Sequence, residues 1–234
     1  RYKHNITGKL KYYKNILKLA YSYRKVYKNS DLYILLSESF ISEFEKISRL
    51  KNLKKIRLIS NPITIANEDF IYNFERKEKQ IIFVGRLEYT QKRIERILNV
   101  WGKIQSEYKD WELTIVGDGP DILRLKNITE NKNIQSVKFV GFQNPKSFYE
   151  KASILLLTSD YEGFPLTITE SMNFGVIPIV YGSYSAAYDI ISDNYSGMIS
   201  KPNNGFDEED FTNKLKMLLS SVTKRKDFSL NALN

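Results

Sequence analysis

Short, largely apolar runs bounded by turn-forming residues recur along most of this chain, and from residue 81 onward they alternate with amphipathic stretches of helical period. The runs at 81–84, 113–116, 137–140, 154–157 and 177–180 lack the strict apolar–polar alternation of a half-exposed sheet, so they predict strands buried on both faces. Between them, apolar positions three and four apart predict helices over 94–108, 121–129, 146–151, 166–174 and 184–191, followed by a short strand at 198–199 and a helix over 208–219. Strand and helix in steady alternation make this an α/β domain with a doubly wound, Rossmann-like parallel sheet. In that architecture ligands bind beyond the carboxyl ends of the strands, which directs attention to the loops after Val84, Val116, Val140 and Leu157.

Upstream the pattern is sparser. Residues 32–36 form an apolar run, Phe40, Ile41, Phe44 and Ile47 recur at helical spacing over 38–50, and 56–59 is a second short strand. Ser60-Asn61-Pro62 is a breaker, and the polar stretch over 67–80 has no period, so a linker is placed there.

Composition changes this picture in two ways. The 234 residues contain no Cys and one His, His4, which excludes a disulfide framework, a thiolate nucleophile and Cys-based zinc sites. The net charge of +9 is local, because residues 1–58 carry 15 Lys plus Arg against 4 Asp plus Glu, leaving 21 against 23 for the rest. Tyr2, Tyr12, Tyr13, Tyr21, Tyr23 and Tyr27 interleave with those cations. That mixture suits an anionic membrane surface, a nucleic acid, a protein partner or a solvated helix face. No apolar run approaches the ~18 residues of a membrane-spanning helix. Arg1 stands first and no signal segment follows it, so the chain reads as a fragment.

The loops carry the candidate chemistry. Gly85-Arg86-Leu87 and Gln91-Lys92-Arg93 place cations at the carboxyl edge, where they can clamp a diphosphate. Gly117-Asp118-Gly119-Pro120 is half of a dinucleotide fingerprint, but Ile122 stands where its third glycine belongs, so no nicotinamide or flavin cofactor is expected. After residue 157 comes Glu162-Gly163-Phe164-Pro165-Leu166-Thr167, then Glu170. Gly163 permits a sharp turn, Pro165 starts a helix, and free N–H groups over 164–167 favour an anion. Glu162 and Glu170 can accept hydrogen bonds from hydroxyls on either side of it. An alternative for Glu170 is a capping box, Thr167-x-x-Glu170.

Phe83-Val84-Gly85-Arg86-Leu87, Lys92, Ile115-Val116-Gly117-Asp118-Gly119-Pro120, Val140-Gly141-Phe142 and the E-x(7)-E of Glu162 and Glu170 stand in the order and spacing of one family. Together they resemble the donor-binding half of a glycosyltransferase family 4 enzyme of the GT-B fold, and 32–63 resembles the end of that family's first domain. The resemblance implies a partial N-terminal acceptor-side domain over 1–60, an interdomain linker over 61–78 and a donor-binding domain over 79–234. It implies a retaining, hexosyl-type transfer from a nucleotide-diphosphate sugar, without metal or cofactor, in bacterial polysaccharide or glycolipid synthesis.

Arg86 and Lys92 would neutralise the diphosphate, and N–H groups near Phe164, Pro165, Leu166 and Thr167 would hold its oxygens. Glu170 would bind the ribose, Glu162 the transferred sugar, and Phe142 with Gln143 the base; Gly85, Gly117 and Gly163 let the backbone approach. Glu162, Arg86 and Lys92 form the implied catalytic set. The implied partners are the nucleotide sugar and a sugar or glycolipid acceptor, with no nucleic acid. The place is the cytoplasm, with peripheral attachment to the inner membrane face through the basic segment. A chain without most of the first domain is expected to bind donor weakly and not to turn over. Two alternatives stay open: a nucleotide-sugar epimerase of the same fold, and a basic nucleic-acid or membrane-binding protein whose α/β domain is a scaffold.

Overall fold

A computed structural model describes residues 6–65 and 69–233; Tyr2 and His4 of the basic segment and Asn67 of the polar stretch lie outside them. The chain divides into two compact units, Arg1–Pro62 and Ile63–Asn234.

The first unit begins with helix α1 (Ile6–Asn29), which the sequence pattern left unassigned because lysine and tyrosine dominate it. Its inward face carries the buried Ala20 and Tyr27, while Tyr13, Leu17 and Tyr21 are exposed. Strand β1 (Tyr33–Leu35) and helix α2 (Ser39–Ser48) follow, then β2 (Ile56–Leu58) parallel to β1. An aromatic cluster joins them, with the ring of Phe44 at 5.6 Å from Tyr23, 5.6 Å from Tyr27 and 4.8 Å from Tyr33. Lys55 donates to the carbonyls of Lys28 and Ser30 at 2.9 and 2.8 Å, a cation set against the negative end of α1.

The second unit runs β3 (Gln80–Val84), α3 (Ile94–Ile104), β4 (Glu112–Val116), α4 (Ile122–Asn131), β5 (Val137–Gly141), α5 (Lys146–Lys151) and β6 (Ile154–Leu157). It continues α6 (Leu166–Met172), β7 (Ile177–Tyr181), α7 (Ala186–Ile190), β8 (Met198–Ser200), α8 (Glu208–Ser220) and α9 (Val222–Ala232). Six parallel strands lie in the order β5-β4-β3-β6-β7-β8, so the doubly wound parallel sheet read from the sequence is the one that folds. Its direction reverses between β3 and β6, and the loops after those strands border the crevice that such a switch point opens. Every residue of β6 and β7 is buried. Helix α3 covers one face of the sheet with Ile94, Ile97, Leu98, Trp101 and Ile104, the three-and-four spacing that announced it.

The differences from the pattern have local causes. Helix α3 stops at Ile104 rather than 108, because the Gln105 side chain turns to the backbone N–H of Gln135 and the chain closes tight turns up to Trp111. Helix α9 has no apolar stripe to announce it. It is held by Ser221, which caps it at Lys224, and by the buried Arg225, which donates to Leu218 and Leu219 carbonyls at 2.6 and 2.9 Å and lies 5.0 Å from the Trp111 ring. The aperiodic stretch before β3 belongs to the second unit and packs within it. Phe70 meets Phe174 at 4.9 Å, Tyr72 bonds Ser229 at 2.9 Å, and Lys77 donates to the Tyr149 carbonyl at 2.8 Å.

Candidate functional site

Backbone bonds knit the loops after β3, β4 and β5 into one surface. Gly85 donates to Val116 at 3.0 Å, Gly117 to Gly141 at 2.8 Å, and Leu87 to Asp118 at 2.9 Å. Gly117 sits at φ 139°, and a Cβ there would overlap the Gly85 carbonyl, so only glycine permits this approach. The surface encloses a cavity of about 540 Å³ lined by Gly85, Arg86, Gly117, Phe142 and Gln143 among others. Five of the residues singled out by sequence therefore meet in one place. Phe142 presents its ring to solvent at 88% exposure, and Gln143 folds back to the Val140 carbonyl at 2.9 Å. The Arg86 guanidinium is largely exposed, with the Glu88 carboxylate 3.9 Å away.

The switch-point loops bring the next pair together. Lys92 and Glu162, seventy residues apart, form an ion pair at 2.6 Å with side chains only 16% and 8% exposed. Gln91 donates to the second oxygen of Glu162 at 3.2 Å. Thr158 bonds the carbonyls of Lys92 and Arg93, and Asp160 N–H donates to Gln91 at 2.8 Å. Arg93, the third cation of its cluster, faces Glu95 and Asp160, and Arg96 also pairs with Asp160 at 2.6 Å. Those two arginines fasten the loop to α3. Tyr184 is buried nearby with its hydroxyl unpartnered, and desolvation first, then the Glu162 charge, holds that phenol well above its ordinary range.

Glu170 has a different role from a cap. Pro165 occupies the N-cap position at φ −74°, no side chain caps α6, and the Thr167 hydroxyl is buried without a partner, so the capping box does not form. Glu170 is buried, 6% exposed as a residue, and its carboxylate accepts instead from the Thr64 hydroxyl on one oxygen and from the Tyr149 hydroxyl at 3.3 Å on the other. Of the residues expected to hold phosphate through backbone donors, Phe164, Leu166 and Thr167 carry an N–H and Pro165 does not; proline supplies only the fixed φ.

The structure thus gathers the candidate residues in three groups: the cavity with Arg86, the Lys92–Glu162 pair, and Glu170 with its two hydroxyl donors. Gly163 forms the turn between the last two. Sequence reasoning missed Gln91, Thr64, Tyr149 and Tyr184. Only Gln91, next to Lys92, left a local signal. Among the described residues no group of three or more His, Cys, Asp or Glu is placed to hold a metal ion.

Comparison with known proteins bears on the family and the fold. The family described as Glycosyl transferases group 1 matches residues 64–234. The chain is 32% identical over 200 residues to the GalNAc-alpha-(1->4)-GalNAc-alpha-(1->3)-diNAcBac-PP-undecaprenol alpha-1,4-N-acetyl-D-galactosaminyltransferase of Campylobacter jejuni, covering 83% of this chain and 53% of that protein. It is 28% identical over 199 residues to the lipopolysaccharide 1,6-galactosyltransferase of Salmonella typhimurium, covering 82% and 54%. The chain spans about half the length of the curated relatives it matches. Among solved structures, a mutant of S. aureus TarM in complex with Fondaparinux, alpha-GlcNAc-glycerol and UDP superposes with a TM-score of 0.76 at 22% identity, over 88% of this chain and 40% of that one. A six-stranded, doubly wound parallel sheet of GT-B type and a family match over most of the chain lead to one conclusion: the chain belongs to the group 1 glycosyl transferases.

Proposed function

We propose that the second unit holds the nucleotide-diphosphate sugar donor of a retaining, family 4 type glycosyltransferase that builds a bacterial polysaccharide or glycolipid. The observation that carries this reading is the cavity of Gly85, Arg86, Gly117, Phe142 and Gln143 opening at the carboxyl edge of the sheet. The base lies against Phe142 and Gln143, where backbone groups and an exposed ring offer stacking and edge contacts. Arg86, largely exposed and only loosely paired with Glu88 at 3.9 Å, supplies the charge for the diphosphate. Lys92 is shared between Glu162 and the phosphates, and the N–H groups of Phe164, Leu166 and Thr167 add neutral donors.

The chemistry follows from that charge arrangement. Cleaving the sugar–phosphate bond builds negative charge on the departing diphosphate, and preorganised cations and N–H groups stabilise it most where water is excluded. Glu162, oriented by Lys92 and Gln91, accepts a hydroxyl of the transferred sugar, and Glu170 accepts the ribose hydroxyls. The acceptor attacks from the face that the nucleotide leaves, which retains configuration without a protein nucleophile or a metal. In this reading 1–60 is the end of an acceptor-side domain, 61–78 the linker and 79–234 the donor domain. The acceptor is a sugar or glycolipid on the cytoplasmic membrane face, and this chain alone binds donor without turnover. The exposed Lys14, Lys18 and Lys25 of α1 then attract anionic headgroups, which flotation with vesicles containing or lacking anionic lipid tests.

The test of the donor reading is a thermal-shift series with UDP, GDP, ADP and their sugar conjugates. Ligand at about 100 times its dissociation constant stabilises by roughly 2.7 kcal/mol, or about 5–10 °C for a chain of this size. A shift confined to one base is expected, and no shift with any of them contradicts the reading.

A further inference from the structure

We propose that Tyr149 and Thr64 are positioning residues for the nucleotide, their hydroxyls orienting the Glu170 carboxylate so that its remaining lone pairs face the ribose diol. This inference rests on the reading of Glu170 as the ribose-binding residue.

The argument starts from burial. A carboxylate that is nearly inaccessible needs donors in place of water, and Glu170 has two hydroxyl donors, one on each oxygen. An ionised carboxylate offers about four acceptor sites. With one site on each oxygen taken from inside the protein, about two remain, and a ribose diol presents two O–H donors. The count matches.

Rigidity points the same way. Tyr149 is fully buried in α5, its ring 6.0 Å from that of Phe174 at 28°, and its carbonyl is pinned by Lys77. Burial first, and then the neighbouring Glu170 charge, holds its phenol far above the ordinary range, so it stays protonated and a donor throughout. Thr64 comes from a separate segment, at the start of the second unit, and its exposed position makes it dispensable for the core. Two donors from separate segments fix the carboxylate plane, which a single hydrogen bond would leave free to rotate.

The experiment measures dissociation constants of UDP, GDP and ADP, each beside its 2′-deoxy and 3′-deoxy forms, for the full chain and for Tyr149→Phe and Thr64→Val. Both substitutions keep side-chain shape and remove one hydroxyl; the second keeps the test informative if the first fails to fold. The unsubstituted chain is expected to prefer the ribonucleotide by about tenfold, and each variant to lose about threefold to tenfold of that preference while binding the deoxy forms as before. A purely structural role would weaken all forms alike and leave the ratio unchanged. Preference in the unsubstituted chain that both variants retain overturns the positioning role and leaves the Glu170 reading standing. Absence of any ribose preference, or of any nucleotide binding, overturns the Glu170 reading and this inference with it.

Discussion

Lys92 and Glu162 illustrate how a pair can serve the fold and the chemistry together. Both side chains are nearly buried, so removing one partner strands the other charge away from water. Lys92→Met is therefore expected to cost about 3 kcal/mol in urea unfolding, and Lys92→Met with Glu162→Gln to recover most of it, since the neutral pair leaves no orphan charge. Additive losses in that cycle would show that the two side chains do not interact. Gly117 makes a second prediction at this scale. With φ at 139° and the Gly85 carbonyl in the way, Gly117→Ala must move the loops after β3 and β4 apart, and a loss of about 3 kcal/mol or more is expected. Unchanged stability on urea unfolding would contradict the close approach. The candidate residues were legible because glycines, cations and carboxylates at a sheet edge have few other reasons to cluster. Their partners were not legible: Tyr149 sits within an ordinary helical stretch, and Thr64 beside a breaker. Only the folded chain brings both to Glu170.

At the scale of elements, strands buried on both faces and α3 with its broad apolar stripe were readable, because burial dictates their composition. Helices α1 and α9 were not readable, because their stability comes from a few aromatic and capping contacts rather than from a stripe. The segment before β3 shows the same limit, and it supplies a pH-dependent prediction. Burial, opposed in part by the Glu150 charge, brings the Lys77 ammonium down to about 7. Between about pH 7 and the ordinary lysine value the unfolded chain holds a proton that the folded chain does not, so stability rises with pH across that window. Below pH 7 both states are protonated and the penalty is fully present. The urea midpoint of the unsubstituted chain should therefore rise relative to that of Lys77→Met between about pH 7 and about pH 9. Parallel pH profiles for the two proteins would contradict the burial of that charge.

For the whole molecule, the strand order β5-β4-β3-β6-β7-β8 places every candidate loop at one edge. Alternation of strand and helix in the sequence was enough to predict a parallel sheet, and the motifs were enough to indicate a glycosyl transferase of GT-B type. The division at residues 62 and 63 falls beside the step in charge near residue 60, where a basic segment gives way to a nearly balanced one. What periodicity cannot encode is which loops end up facing each other across the switch point; strand order decides that. The central claim, that one nucleotide-diphosphate site runs from the cavity at Arg86 to the carboxylate of Glu170, is tested most directly by calorimetric titration. The nucleotide that shifts the melting midpoint is titrated into the unsubstituted chain, Arg86→Ala and Glu170→Ala. Saturable binding at one site, weakened about tenfold or more by each substitution, is the predicted result. Equal affinity in all three proteins would place the nucleotide elsewhere and contradict the account.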